Sequence, residues 1–172
     1  MARSGAVTFK GTPMTLLGEE LQVGQAAPDF TLHYFEGGMK ELTKQDLLGK
    51  PSIVSVVPSV DTGVCQTQTK KFNDALADLG DKINALTVSR DLPFAQARFC
   101  GAENVQNMRF ASDYQTGAFG EAWGVMIDEL KLLARSVFVL DADGQVVYAE
   151  IVPEVTEEPN YEAALEALKK CL

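Results

Sequence analysis

The stretch Ile53-Val54-Ser55-Val56-Val57-Pro58-Ser59-Val60-Asp61-Thr62-Gly63-Val64-Cys65 decides how the chain is read. Its first five residues form an almost uninterrupted apolar run, which suits a strand buried on both faces. Beyond the polar loop, Phe72, Ala75, Leu76 and Leu79 fall at i, i+3, i+4 and i+7, the spacing of a helix with one apolar side. Strand, loop and helix therefore follow in that order. Asp61 or Thr62 can cap the helix. Cys65 then lies in the first turn, where unpaired backbone N–H groups and the positive end of the helix dipole favour a thiolate. A reactive sulfur is the natural reading of that placement.

Working outward, a second buried strand at Ile83 to Val88 follows the helix stop Leu79-Gly80-Asp81 and completes a strand-helix-strand unit. Asp91 is expected to cap a short helix that has Pro93 in its first turn, carries Ala95 to Cys100 and stops at Gly101. Val105 to Phe110 reads as a strand, and Tyr114 to Trp123 as helical despite two internal glycines. Arg135 to Leu140 and Gln145 to Ile151 flank Asp141-Ala142-Asp143-Gly144 as a hairpin. A last helix opens near Pro159-Asn160, with Tyr161, Ala164, Leu165 and Leu168 on one face.

On the N-terminal side, Leu42 to Leu48 gives a helical turn or two, and Asp29 to His33 a half-buried strand. Val7 to Phe9 and Pro13 to Leu17 close a hairpin around Lys10-Gly11-Thr12, a decoration within an extension at residues 1–20. This order predicts one α/β domain over residues 1–172, a mixed central sheet covered by helices on both faces in a thioredoxin-like arrangement.

Composition narrows the function. With 172 residues, 46% of them apolar, the chain can bury one substantial core. A net charge of -9 and no basic run longer than Lys70-Lys71 or Lys169-Lys170 argue against a nucleic-acid surface. No apolar stretch reaches the ~18 residues of a membrane span, and Met1 to Lys10 lacks a secretory signal, so a cytoplasmic location is expected. Cys65, Cys100 and Cys171 are too few and too far apart for a secreted disulfide framework; an intracellular pair is more often catalytic or redox-active. The absence of Cys-x-x-Cys disfavours a general disulfide oxidoreductase. A zinc site from the cysteines and His33 lacks any closely spaced ligand pair, so neither metal nor cofactor is expected. His33 reads as solvated, Trp123 with Phe119 as core or subunit contact, and Cys171 as packing, three residues after Leu168.

Two motifs carry a family resemblance. Pro58 to Cys65 resembles the Pro-x-x-x-Thr-x-x-Cys loop of peroxiredoxins, and Asp91-Leu92-Pro93-Phe94-Ala95-Gln96-Ala97-Arg98-Phe99-Cys100-Gly101 is similar to a second motif of their bacterial thiol peroxidase branch. The likeness runs from Val7-Thr8-Phe9-Lys10-Gly11 to the Glu158 to Leu165 region. It implies a thioredoxin-fold homodimer that reduces hydrogen peroxide and organic hydroperoxides with electrons from thioredoxin. It also implies Cys65 as the peroxidatic cysteine, which passes through a sulfenic acid, and Cys100 as the resolving one. Thr62 and Pro58 would orient the peroxide and shield the sulfur, and Arg135 would be the active-site arginine. On the residues alone, Thr62 could merely cap the helix and Arg135 could be a surface strand residue. Nothing in the sequence pairs Arg135 with Cys65, and Cys171, outside both motifs, leaves a second disulfide partner or a dimer crosslink open.

The chemistry sets its own demand. A free cysteine, with a pKa of ~8.5, is only about 3% thiolate at pH 7. A helix terminus supplies ~0.3–1 kcal/mol and at best ~2, whereas an adjacent cation can move a pKa by ~1–3. A nearby arginine is thus expected to dominate, with Asp61 capping the helix so that its carboxylate points away from the sulfur. The Thr62 hydroxyl is expected to accept from the peroxide and donate toward the sulfur, and Gly63 and Gly101 to ease the unwinding that joins the two cysteines.

Overall fold

The computed structural model describes residues 1–172. The chain opens with an antiparallel hairpin of β1 (Ala2–Phe9) and β2 (Thr12–Leu17), turned by Lys10 and Gly11 at positive φ. A second antiparallel pair joins β3 (Thr31–Phe35) to β4 (Met39–Thr43). Then come β5 (Ser52–Val56), α1 (Gly63–Ala75), β6 (Asn84–Ser89), α2 (Pro93–Glu103) and β7 (Arg109–Ser112). After α3 (Ala118–Ala122), the two-residue strands β8 (Met126–Ile127) and β9 (Leu132–Leu133) lead to the hairpin β10 (Ser136–Leu140) and β11 (Val146–Ile151). The helix α4 (Tyr161–Lys169) closes the chain.

Seven strands form the main sheet in the order β11-β10-β5-β6-β7-β3-β4. The pairs β5–β6 and β6–β7 are parallel and need crossovers, which α1 and α2 supply; the other pairs are antiparallel. Central strands buried on both faces read as continuous apolar runs because alternate side chains enter two different cores. Ile53, Val137 and Val139 meet Phe72 and Leu76 of α1, Phe99 of α2, and Ala164 and Leu168 of α4. Val54, Val56, Phe138 and Leu140 meet Phe119, Trp123 and the hairpin residues Val7 and Leu16. Within that second core Trp123 stacks on Phe119 at 4.7 Å and meets Phe30 and Phe138 edge-on. The expected mixed sheet, flanked by helices and preceded by a hairpin, is the architecture observed.

Several boundaries move, each for a local reason. β4 has no sequence signature of its own, and the helical segment expected at Leu42 to Leu48 is a single 3-10 turn, Lys44–Leu47, opened by a Thr43–Asp46 capping box. The first strand expected after the hairpin begins at Thr31 rather than Asp29, because Phe30 turns into the aromatic core. α1 ends at Ala75, and its buried face is Cys65, Gln68, Thr69, Phe72 and Asn73, continued by Leu76 just beyond its end, while Ala75 is exposed. α2 does not stop at Gly101 but runs to Glu103, ended by Asn104 in the left-handed conformation with its N–H donated to the Cys100 carbonyl. The strand expected at Val105 to Phe110 is shifted to Arg109–Ser112. The Tyr114 to Trp123 helix shrinks to Ala118–Ala122, since Gly117 at φ 73 sits just ahead of it.

The hairpin is more than decoration. β2 pairs with β8, so the hairpin belongs to a four-stranded sheet, β1-β2-β8-β9. Arg3 donates to the carbonyls of Gly18 and Gly124, fastening this sheet to the end of α3. Gly18, at φ +82, lies so close that a Cβ there would sit 1.9 Å from the Glu121 carbonyl oxygen. Gly18→Ala should therefore destabilise the protein by about 2–4 kcal/mol, read as a melting temperature lower by about 5–15 °C. An unchanged melting curve would show that the two layers do not depend on this contact.

Candidate active site

Val57 and Pro58 are buried where β5 leaves the sheet, and the loop then turns outward through Asp61, Thr62 and Gly63. Thr62, in extended conformation, is the N-cap of α1: its Oγ1 accepts from the Cys65 N–H at 3.3 Å and donates to the Ser59 carbonyl at 3.4 Å. Asp61 does not cap. Its side chain is exposed, and its N–H donates to Ser59 Oγ at 3.1 Å. The expected donation from Thr62 toward the sulfur is not made in this conformation, because the hydroxyl is committed to the cap and to Ser59. Cys65 itself is fully buried in the first turn.

Facing the sulfur is Arg135, only 2% exposed and placed just before β10. Its Nη1 lies 3.3 Å from Cys65 Sγ and donates to Gln68 Oε1 at 3.0 Å, while its Nε donates to the Val155 carbonyl at 2.8 Å. Gln68 is held in turn by donating from Nε2 to Ser55 Oγ of β5 at 2.8 Å. No carboxylate comes within salt-bridge distance of Arg135. A guanidinium taken out of water must be paired, and the Cys65 sulfur is the one contacting group able to carry negative charge. At an effective dielectric of ~20 the attraction between such close charges is on the order of 4 kcal/mol before desolvation. A helix terminus gives at most ~2. The guanidinium is therefore the largest electrostatic feature facing the sulfur.

Cys100 occupies the last turn of α2 and is half-buried. It lines a cleft of about 290 Å³ with Gln96, Tyr34 and Phe110. Burial pushes its thiol up to about 11, so at neutral pH it is a protonated sulfur in the wound helix. All three cysteines are free thiols. Cys171 hangs from the end of α4, its Sγ 3.5 Å from the Ala167 carbonyl. His33 packs edge-on against Tyr114 in β3, and Trp123 is core. The structure does not gather the cysteines and His33 into one cluster.

Sequence reasoning missed three members of this constellation. Gln68 is one turn from Cys65 on the same buried stripe as Phe72, and a polar residue on an apolar face was the available signal. The Val155 carbonyl left no trace in the sequence, since any residue offers one. Asp91 was read as a helix cap, yet the N-cap of α2 is Leu92 with no side-chain bond, and the Asp91 carboxylate instead reaches Ser59, Val60 and Ser89.

Against known proteins, a family model described as Redoxin matches residues 22–165. A thiol peroxidase of Bacillus subtilis (strain 168) is 55% identical over 163 residues, 95% of this chain and 96% of that protein. One from Staphylococcus aureus (strain COL) is 49% identical over 164 residues, 95% of this chain and 97% of its own. A crystal structure of a peroxiredoxin-like protein from Aquifex aeolicus superposes with a TM-score of 0.90 at 40% identity, covering 99% of this chain and 98% of that one. A thiol peroxidase from Chromobacterium violaceum shares the fold at a TM-score of 0.82 and 17% identity, over 95% of each chain. The chain belongs to the Redoxin family, and within it to the peroxiredoxin-type thiol peroxidases, enzymes that reduce peroxides.

Proposed function

We propose that this peroxidase reduces hydrogen peroxide and organic hydroperoxides through Cys65 as peroxidatic and Cys100 as resolving cysteine, with thioredoxin returning the electrons. The observation that carries the reading is the buried Arg135 guanidinium 3.3 Å from the Cys65 sulfur with no carboxylate within salt-bridge distance. The Cys65 thiolate attacks one peroxide oxygen. The S–O bond forms, the O–O bond breaks, and the departing oxygen takes a proton to leave as alcohol or water. Arg135 donates to the oxygen on which charge develops. Thr62, freed from its cap bond, orients the peroxide, and Pro58 at the base of the loop shields the sulfur.

Cys65 is left as a sulfenic acid, which condenses with the Cys100 thiol to a disulfide and water. A dithiol of thioredoxin then reduces this disulfide by two exchanges. The two cysteines lie on different helices, so α1 and α2 must loosen locally to meet, eased at Gly63 and Gly101. The exposed rings of Phe35 and Phe94, 5.2 Å apart, offer an apolar surface for a homodimer. The reading places the enzyme in the cytoplasm, where thioredoxin keeps thiols reduced. No helix is long and apolar enough to cross a membrane.

Mass spectrometry after one equivalent of peroxide should find a Cys65–Cys100 link. Cys65→Ser should consume no peroxide, and Cys100→Ser should turn over once without an added thiol. A link through Cys171, or peroxide consumption after Cys65 is alkylated, would sink the assignment. Arg135→Lys should slow Cys65 oxidation by ~10²–10³-fold in single-turnover measurements; a rate within a few-fold of the parent removes Arg135 from the reaction.

The resolving step should depend on pH. Because burial in the wound helix raises the Cys100 thiol to about 11, winding holds that proton more tightly than the unwound chain does. The advantage is complete below about 9 and fades as pH rises toward 11. Disulfide formation from the sulfenic acid, followed by rapid quenching, should therefore accelerate across that window, where both the loosened helix and the Cys100 thiolate are favoured; a flat profile would show that the Cys100 thiol does not govern the step.

A further inference from the structure

The Asp91 carboxylate lies where the two cysteine-bearing segments meet. Its Oδ1 accepts from Ser59 Oγ at 2.8 Å, and its Oδ2 from the Val60 N–H at 2.9 Å, both in the loop that leads into Cys65. The same Oδ2 accepts from Ser89 Oγ at 2.6 Å, at the end of β6. Ser89 Oγ accepts in turn from Gln96 Nε2 at 3.0 Å, and Gln96 lies one helical turn before Cys100 in α2. The Asp91 carbonyl is held by Ser112 Oγ from β7. A continuous polar chain thus runs from the Cys65 loop through Asp91 and Ser89 to the helix of Cys100.

That chain contains a weak point. Gln96 is 1% exposed, and its Oε1 has no hydrogen-bond partner. Flipping the amide would not help, because Nε2 also donates to the Ala111 carbonyl at 3.0 Å, which an oxygen in its place would repel. An orphaned buried acceptor destabilises the wound helix relative to the unwound one, where water reaches it. α2 is therefore held against the sheet by a network that includes a built-in reason to let go.

We infer that Asp91 is a positioning residue that couples the two segments: it keeps the Cys65 loop and the start of α2 folded together for peroxide attack, and both are released together for disulfide formation. The inference rests on the peroxidase reading for its consequence but not for its structural test. Once formed, the Cys65 sulfenic acid has two fates. It condenses with the Cys100 thiol, losing water, or it is oxidised by a second peroxide to the sulfinic acid, the peroxide being reduced to alcohol or water. Condensation needs the released state, so the tightness of the Asp91 grip sets the division between the two.

The test is Asp91→Ala, which removes the carboxylate that accepts from Ser59, Val60 and Ser89. In the reduced protein, hydrogen exchange should speed ~10-fold or more in both residues 59–65 and 93–103, with α4 unchanged. Under excess peroxide the first oxidation of Cys65 should slow, while the sulfinic fraction at Cys65 falls to about half or less of the parent's in favour of disulfide. Ser59→Ala, which loosens only the loop end of the chain, should show the same shift at smaller size. Faster exchange in one segment alone, faster exchange throughout, or an unchanged sulfinic fraction overturns the coupling. If Cys65 of the unaltered protein resists peroxide, the peroxidase reading fails, while the exchange comparison, which uses no peroxide, still decides whether Asp91 joins the segments.

Discussion

A positive charge buried without a carboxylate partner is a demand the rest of the molecule has to meet. Arg135 is almost wholly inaccessible, its Nε spent on the Val155 carbonyl and its Nη1 divided between the Gln68 amide oxygen and the Cys65 sulfur. Neutral acceptors solvate a guanidinium but do not neutralise it. The Cys65 sulfur is the one group touching the guanidinium that can carry a negative charge, so the arginine and the cysteine are placed as a pair. The pairing also sets a chemical limit. A thiolate loses nucleophilicity as it is stabilised, so on the proposed mechanism the guanidinium has to act again on the breaking O–O bond.

The fold delivers this pair from positions 70 residues apart in the chain. β5 and β10 are neighbours in the sheet, with Ser136 opposite Val56, so the residues just beyond β5 and just before β10 share one rim. α1 springs from one side of that rim and Arg135 enters from the other. Gln68 links them, fastened to Ser55 of β5 beneath. The parallel neighbours β6 and β7 bring Ser89 and Ser112 to the same rim, which is why the Asp91 network can reach the loop before Cys65.

What could be read from the chain follows the range of each signal. The apolar run at Ile53 to Val57 and the helix behind it were legible because a strand and an amphipathic turn declare themselves within a few residues. Thr62 as a cap was legible for the same reason. The approach of Arg135 to Cys65 spans 70 positions and leaves no local pattern; only the resemblance between motifs suggested it. β8 and β9 are two residues each and exist through their pairing with the hairpin, so no periodicity marks them. Asp91 misled because an acidic residue ahead of Leu-Pro has the form of a helix cap. Its carboxylate went to two donors of a loop more than thirty positions away and to nearby Ser89, and these outweighed the one bond a cap would have supplied.

The first strand has a reach that its position at the edge of the molecule conceals. Thr8 exchanges backbone bonds with Pro153 and Val155, and the Glu154 carboxylate between them accepts from Thr8, Lys10, Gly11 and Thr156. These bonds, those from Thr156 foremost, hold the Glu154 carboxyl well below the usual carboxylate range. The carbonyl that anchors the Arg135 Nε belongs to this clasped segment. A protein clipped after its first ten residues would keep both sulfurs and every residue of the two motifs, yet lose the brace that aims its cation. In this chain the leading arm is thus tied, through one short segment, to the orientation of a side chain far from it in sequence.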